Sequence, residues 1–175
     1  MKETTAKKKF MWNMAGSLCN SLSSMLLLII VNRISGESRG GFFALAYSTA
    51  QLLFSVGGFE IRPVQSTDIK NKFTFDQYFT SRMLNCIIML ICMIGYIAVN
   101  GYTGVEALTV FWILGYRMVE AVADVYSGLF QQRERIDISG KEMLMRSGIS
   151  TITFTIILWL TDNLLYAAMT LTLTS

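Results

Sequence analysis

The sequence predicts an all-α membrane protein, a polytopic helical bundle with five full transmembrane helices and a truncated sixth. Hydrophobic residues make up 53% of the 175 residues and charged residues only 15%, a balance outside the usual range for a soluble domain. The chain also contains several mostly apolar runs of roughly 17 to 25 residues, the length that a helix needs to cross a hydrocarbon core about 30 Å thick.

The apolar runs and short polar signals together predict where each helix begins and ends. The helices are expected at about residues 10–34, 41–59, 74–99, 107–130, 140–160 and 164–175. The last run is too short to cross, so the chain is expected to be a fragment that ends within its sixth helix. Thr74 with Gln77, and Ser139 with Glu142, have the spacing of a capping box, which places the starts of helices 3 and 5 outside the bilayer. Pro63 is expected to mark the exit from helix 2.

Basic residues are distributed unevenly and predict the orientation of the chain. Of the 15 Lys and Arg residues, twelve are assigned to one side of the membrane, because they precede helix 1, follow helix 2 before the apolar part of helix 3, or lie between or just inside helices 4 and 5. They are Lys2, Lys7, Lys8, Lys9, Arg62, Lys70, Lys72, Arg82, Arg133, Arg135, Lys141 and Arg146. By the positive-inside rule that side, with the N-terminus, is cytoplasmic. We interpret these residues as topology signals and contacts to membrane lipids, with nucleic-acid binding as a remote alternative.

The sequence offers little for catalysis. It has no histidine, which removes a Ser-His-Asp triad, a His-ligated metal and the most common general base. Cys19, Cys86 and Cys92 lie within apolar runs without metal-ligand spacing, and we interpret them as apolar fillers. No cofactor is predicted, and the protein is not expected to be an enzyme.

Three charged residues fall near the middle of helix 4. Arg117, Glu120 and Asp124 share one helix face, and ionisable groups in lipid cost at least ~2.5 to 3.5 kcal/mol each, so this face is predicted to point into protein or water. Their formal charges of +1 and −2 leave one carboxylate in need of a proton, a cation or another partner, because no neighbouring segment supplies a second buried basic residue. A sealed, self-neutralised structural cluster is the alternative.

Polar residues on other helices predict a hydrated cavity beside helix 4. Asn13 and Asn20 lie on one face of helix 1, and Gln51 lies on a polar face of helix 2. Arg33, near the end of helix 1, is a weaker candidate, because snorkelling to the membrane interface explains it equally well. The alternative is that the uncharged polar residues only join the helices through hydrogen bonds.

Two segments resemble bacterial polysaccharide flippases. The stretch VNRISGESRGGFFALAYSTAQLLFSVGGFEIRP is similar to their first helical hairpin, and YRMVEAVADVYSGLFQQRERIDISGKEMLMR is similar to their fourth helix and the following cytoplasmic loop. These proteins belong to the multidrug/oligosaccharidyl-lipid/polysaccharide exporter superfamily. The resemblance implies a transporter that flips an undecaprenyl-diphosphate-linked oligosaccharide across the bacterial plasma membrane. It also implies that this chain is the N-terminal six-helix half and that a C-terminal half is missing.

The resemblance further implies roles for the candidate residues. Arg117 would bind the diphosphate, since a guanidinium fork suits phosphate oxygens. Glu120 and Asp124 would couple transport to H⁺ or Na⁺, or hold Arg117 in place. Two other functions remain open, a cation-coupled multidrug antiporter of the same superfamily and, less favoured, a membrane glycosyltransferase or polymerase that uses the two carboxyl groups as an acid/base pair.

Overall fold

The computed structural model describes residues 2–58, 61–68 and 72–175, and all of the regular structure in them is helical. The helices are α1 (Lys2–Gly58), α2 (Ile61–Thr67), α3 (Phe75–Val99), α4 (Gly104–Gln132), α5 (Ile136–Thr161) and α6 (Leu164–Leu173). The predicted all-α class is thereby confirmed. Phe59, the last residue of predicted helix 2, and Lys70, one of the predicted topology signals, lie outside the described residues.

The first helix, α1, is a hairpin whose two arms, residues 2–35 and 37–58, are joined at Gly36. Gly36 leaves helical geometry with φ 85° and ψ 170°, a backbone conformation that is open essentially to glycine alone. Asn32, four residues before the turn, packs against Gly40, four residues after it. This contact shows that the arms run side by side in opposite directions. Predicted helices 1 and 2 therefore exist as two arms, and the predicted loop between them is reduced to one residue.

Three helices are long and apolar enough to cross a membrane among the residues that the structure describes. They are Ala6–Ser55 within α1, Phe75–Val99 and Ile136–Thr161. This finding indicates a membrane protein, but the predicted five full transmembrane helices are not reached. The α4 helix falls short because every stretch of 18 of its residues includes Arg117, Glu120 and a third charged side chain. The span Ala6–Ser55 contains both arms of α1, and α6 has only 10 residues.

Of the two predicted capping boxes, the one at Thr74 gives the correct start of a helix and the one at Ser139 does not. The α3 helix begins directly after Thr74, whose backbone N–H donates to Gln77 Oε1 at 2.9 Å, as the capping-box prediction requires. The α5 helix begins at Ile136, so the capping box predicted at Ser139 is wrong. Ser139 is buried inside the helix, where its backbone N–H has a helical partner and needs no cap. Pro63 lies in the first turn of the additional helix α2, a position at which proline costs no hydrogen bond.

Polar contacts gather the connections at the two ends of the bundle. At one end Lys9 Nζ, on α1, donates to the backbone oxygen of Glu134, in the α4–α5 connection, at 2.8 Å. We call this the basic end. At the opposite end Arg39, just after the turn of α1, forms an ion pair at 2.9 Å with Asp162, between α5 and α6. The first arm of α1 and the helix α5 therefore run between the same two ends.

The main hydrophobic core fills the half of the bundle next to the opposite end. Its fully buried side chains include Leu27, Val31, Phe43, Ala50, Met93, Ile113, Leu114, Phe154, Leu158 and Leu171. They come from α1, α3, α4, α5 and α6, so this core joins the long helices. A much smaller cluster, Ile61 with Tyr78 and Val125, packs α2 against α3 and α4 near the basic end. Polar side chains are buried between these two apolar regions.

Small residues bring α1 and α5 unusually close together. A Cβ on Gly140 would lie 2.3 Å from the backbone oxygen of Trp12 and 2.6 Å from Asn13 Cα, and a Cβ on Gly16 would lie 2.1 Å from the Gly140 carbonyl oxygen. Ser147, also buried, continues this seam along α5. Small-residue seams of this kind let helix backbones approach each other in membranes, where lipid removes the hydrophobic drive for helices to associate.

Asp68 orders the connection between α2 and α3. Its carboxylate accepts the backbone N–H groups of Lys72 at 2.9 Å and Phe73 at 3.0 Å, and the Tyr78 hydroxyl at 3.0 Å. These hydrogen bonds, the two from the backbone first, hold the pKa of Asp68 below its usual value because they stabilise the charged form. The Asp68 backbone oxygen also accepts from Gln132 Nε2 at 2.7 Å, which joins the connection to the end of α4.

Gly140→Ala is expected to destabilise the protein by roughly 1 to 3 kcal/mol, because the added methyl meets backbone atoms that no side-chain rotation can move. Gly148→Ala is the matched control on the same helix, since nothing lies within 4 Å of its added methyl. It should be neutral or slightly stabilising. Thermal unfolding in detergent micelles measures both, and equal melting temperatures would contradict the close approach of α1 and α5.

Asp68→Ala is expected to speed hydrogen exchange at the Lys72 and Phe73 amides at neutral pH. Because the folded pKa of Asp68 is depressed, its contribution is present above the unfolded pKa and is lost as the pH falls through the folded pKa. The wild-type connection should therefore loosen below about pH 4, and the variant should lack that transition. Asp137→Ala, at a carboxylate that pairs with Arg135 at 3.4 Å, is the control and should leave these amides unchanged.

Candidate functional site

Glu120 lies at the centre of a cluster of buried charges, about 18 Å along α4 from the basic end. It pairs with Arg117, one turn earlier, and with Arg146 of α5, whose Nη2 lies 3.7 Å from its carboxylate. Asn20 Nδ2, on the first arm of α1, donates to the same carboxylate at 2.9 Å. Arg146 also donates from Nε to Glu142 Oε1 at 2.8 Å. We call these five residues the Glu120 cluster.

Asp124, one turn further along α4, belongs to a second arrangement, which we call the Asp124 clamp. Each oxygen of its carboxylate accepts a hydrogen bond from one arginine. Arg62 Nη1 of α2 lies 3.0 Å from Oδ1, and Arg82 Nη2 of α3 lies 2.9 Å from Oδ2. Arg82 is only 1% exposed. The clamp therefore connects α2 and α3 to α4 through one carboxylate.

A cavity of about 130 Å³ lies between the Glu120 cluster and the Asp124 clamp. It is lined by Asn20, Phe54, Arg62, Glu120, Ala123, Asp124, Ser127, Glu142, Met143 and Arg146. The wall is thus built from both arms of α1 together with α2, α4 and α5. The cavity has room for several water molecules, at about 30 Å³ each, or for one small ionic group.

Arginines outnumber carboxylates in the Glu120 cluster and the Asp124 clamp taken together, and of these arginines Arg62 and Arg146 line the cavity. The arginines are Arg62, Arg82, Arg117 and Arg146, and the carboxylates are Glu120, Asp124 and Glu142. One formal positive charge is left over. In the described part of the chain, four buried nitrogens of these arginines have no hydrogen-bond partner, namely Arg82 Nε and Nη1, Arg117 Nε and Arg146 Nη1. Two buried acceptors of the cavity wall, Asn20 Oδ1 and Glu142 Oε2, also lack a partner among the described residues. The unpaired arginine donors outnumber them and buried donors without acceptors are costly, so the site favours an anionic ligand.

Tyr47, on the second arm of α1, fixes the position of Arg117. The Arg117 guanidinium carbon lies 4.4 Å from the centroid of the Tyr47 ring and 5.3 Å from that of Tyr116. A guanidinium over an aromatic face is held by the ring quadrupole. This contact and the Glu120 ion pair together orient Arg117 within the bundle.

The structure places the charged face of α4 inside the bundle, as predicted, but the predicted charge balance is wrong. We expected a surplus carboxylate and no second buried basic residue, whereas Arg82 and Arg146 are 1% and 8% exposed. Both lie near the starts of predicted helices 3 and 5 and had been interpreted as topology signals outside the apolar part of the bilayer. The capping box at Thr74 could have revealed Arg82, because a helix that begins after it places Arg82 two turns inside α3. Arg146 was missed because nothing in the sequence shows that Glu120, on another helix, lies within its reach.

Of the uncharged and outlying candidates, the structure brings only Asn20 to the cavity. Asn13 is half-buried in the seam with Gly140, Gln51 is half-buried on the second arm of α1, and Arg33 is exposed near Gly36. None of these three lines the cavity as the described residues form it. Asn13 and Arg33 are about 10 and 20 Å along the first arm from Asn20, because helical periodicity identifies a face but not a depth.

Comparison with protein-family models, with curated proteins and with solved structures finds no match for this chain. The described residues also contain no group of three or more Cys, Asp or Glu side chains that could hold a metal ion.

Arg82→Gln is expected to lower the free energy of unfolding by about 1.5 to 3 kcal/mol, because Asp124 loses one of its two charged donors. Arg33→Gln, at an exposed arginine, is the control and should change it little. Combining Arg82→Gln with Asp124→Asn should cost less than the sum of the single changes, since the residues are in contact. Equilibrium unfolding in micelles measures the cycle, and strict additivity would contradict the clamp.

Proposed function

We propose that this protein is a membrane transporter that binds the diphosphate of an undecaprenyl-diphosphate-linked oligosaccharide beside α4 and flips it across the bacterial plasma membrane for polysaccharide biosynthesis. The observation that carries the proposal is the surplus of buried arginine, with four nitrogens that lack acceptors in the described part of the chain. Phosphate oxygens suit this need, because guanidinium groups bind them through two parallel hydrogen bonds.

In this proposal both arms of α1 cross the membrane, and so do α3, α4 and α5, with α6 as the sixth helix of the bundle. The α4 helix crosses despite its charges because they face inward and are paired with arginines. Lysine and arginine at the basic end support a cytoplasmic N-terminus. As in the family that the sequence resembles, a C-terminal half would complete the transporter.

The position of the cavity supports loading from the basic end. The main hydrophobic core lies between the cavity and the opposite end, so a charged group has no polar route in that direction through the described helices. A volume of about 130 Å³ suits a phosphate group and not a whole oligosaccharide. The glycan would therefore need a passage that opens only when the helices separate or when the second half contributes its own surface.

A cation-coupled multidrug antiporter fits these charges less well. Glu120 and Asp124 would have to bind H⁺, Na⁺ or a cationic drug, yet each is paired with two arginines. A guanidinium beside each carboxylate repels a second cation. Coupling of transport to H⁺ or Na⁺ at these two residues is for the same reason not part of the proposal.

Arg146→Gln is expected to weaken binding of undecaprenyl-diphosphate-linked oligosaccharide about tenfold, because a charged donor to the phosphate is lost. The measurement is a titration of the purified protein in phosphatidylcholine nanodiscs, with undecaprenol as the phosphate-free comparison. Arg33→Gln, at an exposed arginine away from the cavity, is the control and should bind like the wild type. Equal affinity of the wild type for undecaprenol and for the diphosphate-linked lipid would overturn the proposal.

A further inference from the structure

We propose that Asp124 is an internal ligand that occupies a phosphate subsite until a phosphate-bearing headgroup displaces it. The subsite is the arginine pair Arg62 and Arg82, which the Asp124 carboxylate bridges. This inference deepens the proposed function and rests on it, because it names the place where one phosphate binds and the group that must leave first.

The geometry of the clamp resembles that of a bound phosphate. Two oxygens of one anion each accept a guanidinium N–H, at 3.0 Å from Arg62 and 2.9 Å from Arg82. The two arginines come from different helices, α2 and α3, and among the described residues Asp124 is the one anion that pairs with both. Charge-assisted hydrogen bonds of this length form equally well to carboxylate and to phosphate oxygens.

The Arg82 guanidinium has more N–H donors than the Asp124 carboxylate accepts from. The carboxylate accepts only from Nη2, while Nε and Nη1 are buried without a partner among the described residues. The diphosphate of the proposed lipid carries two non-bridging oxygens on each phosphorus, so it presents twice as many charged acceptors as one carboxylate. Replacing Asp124 by the diphosphate therefore offers acceptors to buried Arg82 donors that the carboxylate leaves unpaired.

The clamp is also accessible from the cavity. The side chains of Asp124 and Arg62 line it and are 17% and 25% exposed, so a headgroup in the cavity reaches both without unfolding the bundle. Glu120 differs, because it is 7% exposed and held by Asn20 as well as by two arginines. Glu120 therefore stays in place and orients its arginines, while Asp124 is the carboxylate that yields.

The test is a calorimetric titration of inorganic pyrophosphate into the full chain in phosphatidylcholine nanodiscs. Asp124→Asn removes the competing anion and should tighten pyrophosphate binding about tenfold. Glu142→Gln removes one negative charge from the same cavity wall but leaves the clamp closed, so its gain should be clearly smaller. Asp162→Asn, at an arginine-paired aspartate of the opposite end, should leave the affinity unchanged.

The possible results distinguish a failure of the Asp124 inference from a failure of the proposed function. A larger gain in Asp124→Asn than in Glu142→Gln supports the inference. Equal gains would mean that net charge alone sets affinity, and weaker binding in Asp124→Asn would mean that Asp124 positions the arginines; either result overturns the inference and leaves the arginine site standing. If the wild type and every variant fail to bind pyrophosphate, both proposals fall.

A second comparison covers the case in which Asp124→Asn folds poorly. In an Arg62→Gln background, the further change Asp124→Asn restores the net charge that the cavity has in the wild type. In the double variant Arg82 is no longer paired with a carboxylate at residue 124 and can bind phosphate. Pyrophosphate should therefore bind the double variant more tightly than it binds Arg62→Gln alone. No tightening would overturn the inference.

Discussion

The pairing of α4 carboxylates with arginines from three other helices is the interaction on which the rest of this structure depends. An ionised side chain within a membrane is costly unless it meets an opposite charge, so Glu120 and Asp124 determine which face of α4 turns inward. Arg62, Arg82 and Arg146 then determine how α2, α3 and α5 approach that face. The rotation of α4 and the position of its neighbours follow from the same few contacts.

This polar layer is stable because the apolar parts of the bundle enclose it. The main core holds the long helices together toward the opposite end, and the small-residue seam brings α1 and α5 to backbone contact near the basic end. The seam at Gly16 and Gly140 leaves no space for a larger side chain, so it sets the distance between the α1 and α5 parts of the cavity wall. The α2 helix differs, since it has 7 residues and a small apolar contact, and its place depends largely on Arg62.

Much of the fold could be predicted from the sequence, because apolar length and periodicity are local properties. The helical class, the break near Gly36 and the start of α3 after Thr74 all follow from short stretches of residues. The number of apolar spans does not follow in this way, because three charges on α4 interrupt its apolar pattern. The start of α5 does not follow either, because Ser139 resembles a helix cap in sequence but is buried within the helix. The faces of helices were predicted well and the depths along them poorly.

The candidate site shows the same limit in its charges. Arginines near the ends of apolar runs are normally interpreted as topology signals, and Arg62, Arg82 and Arg146 fit that pattern in sequence. Whether such an arginine stays at the surface depends on whether a carboxylate lies within reach at the same depth of another helix. Glu120 and Asp124 provide that partner for side chains at the basic end, and nothing comparable among the described residues draws Arg33 inward. A basic residue can thus orient the chain in the membrane and also build the site, and a count of charges along the sequence cannot distinguish these roles, because the partner is set by helix packing.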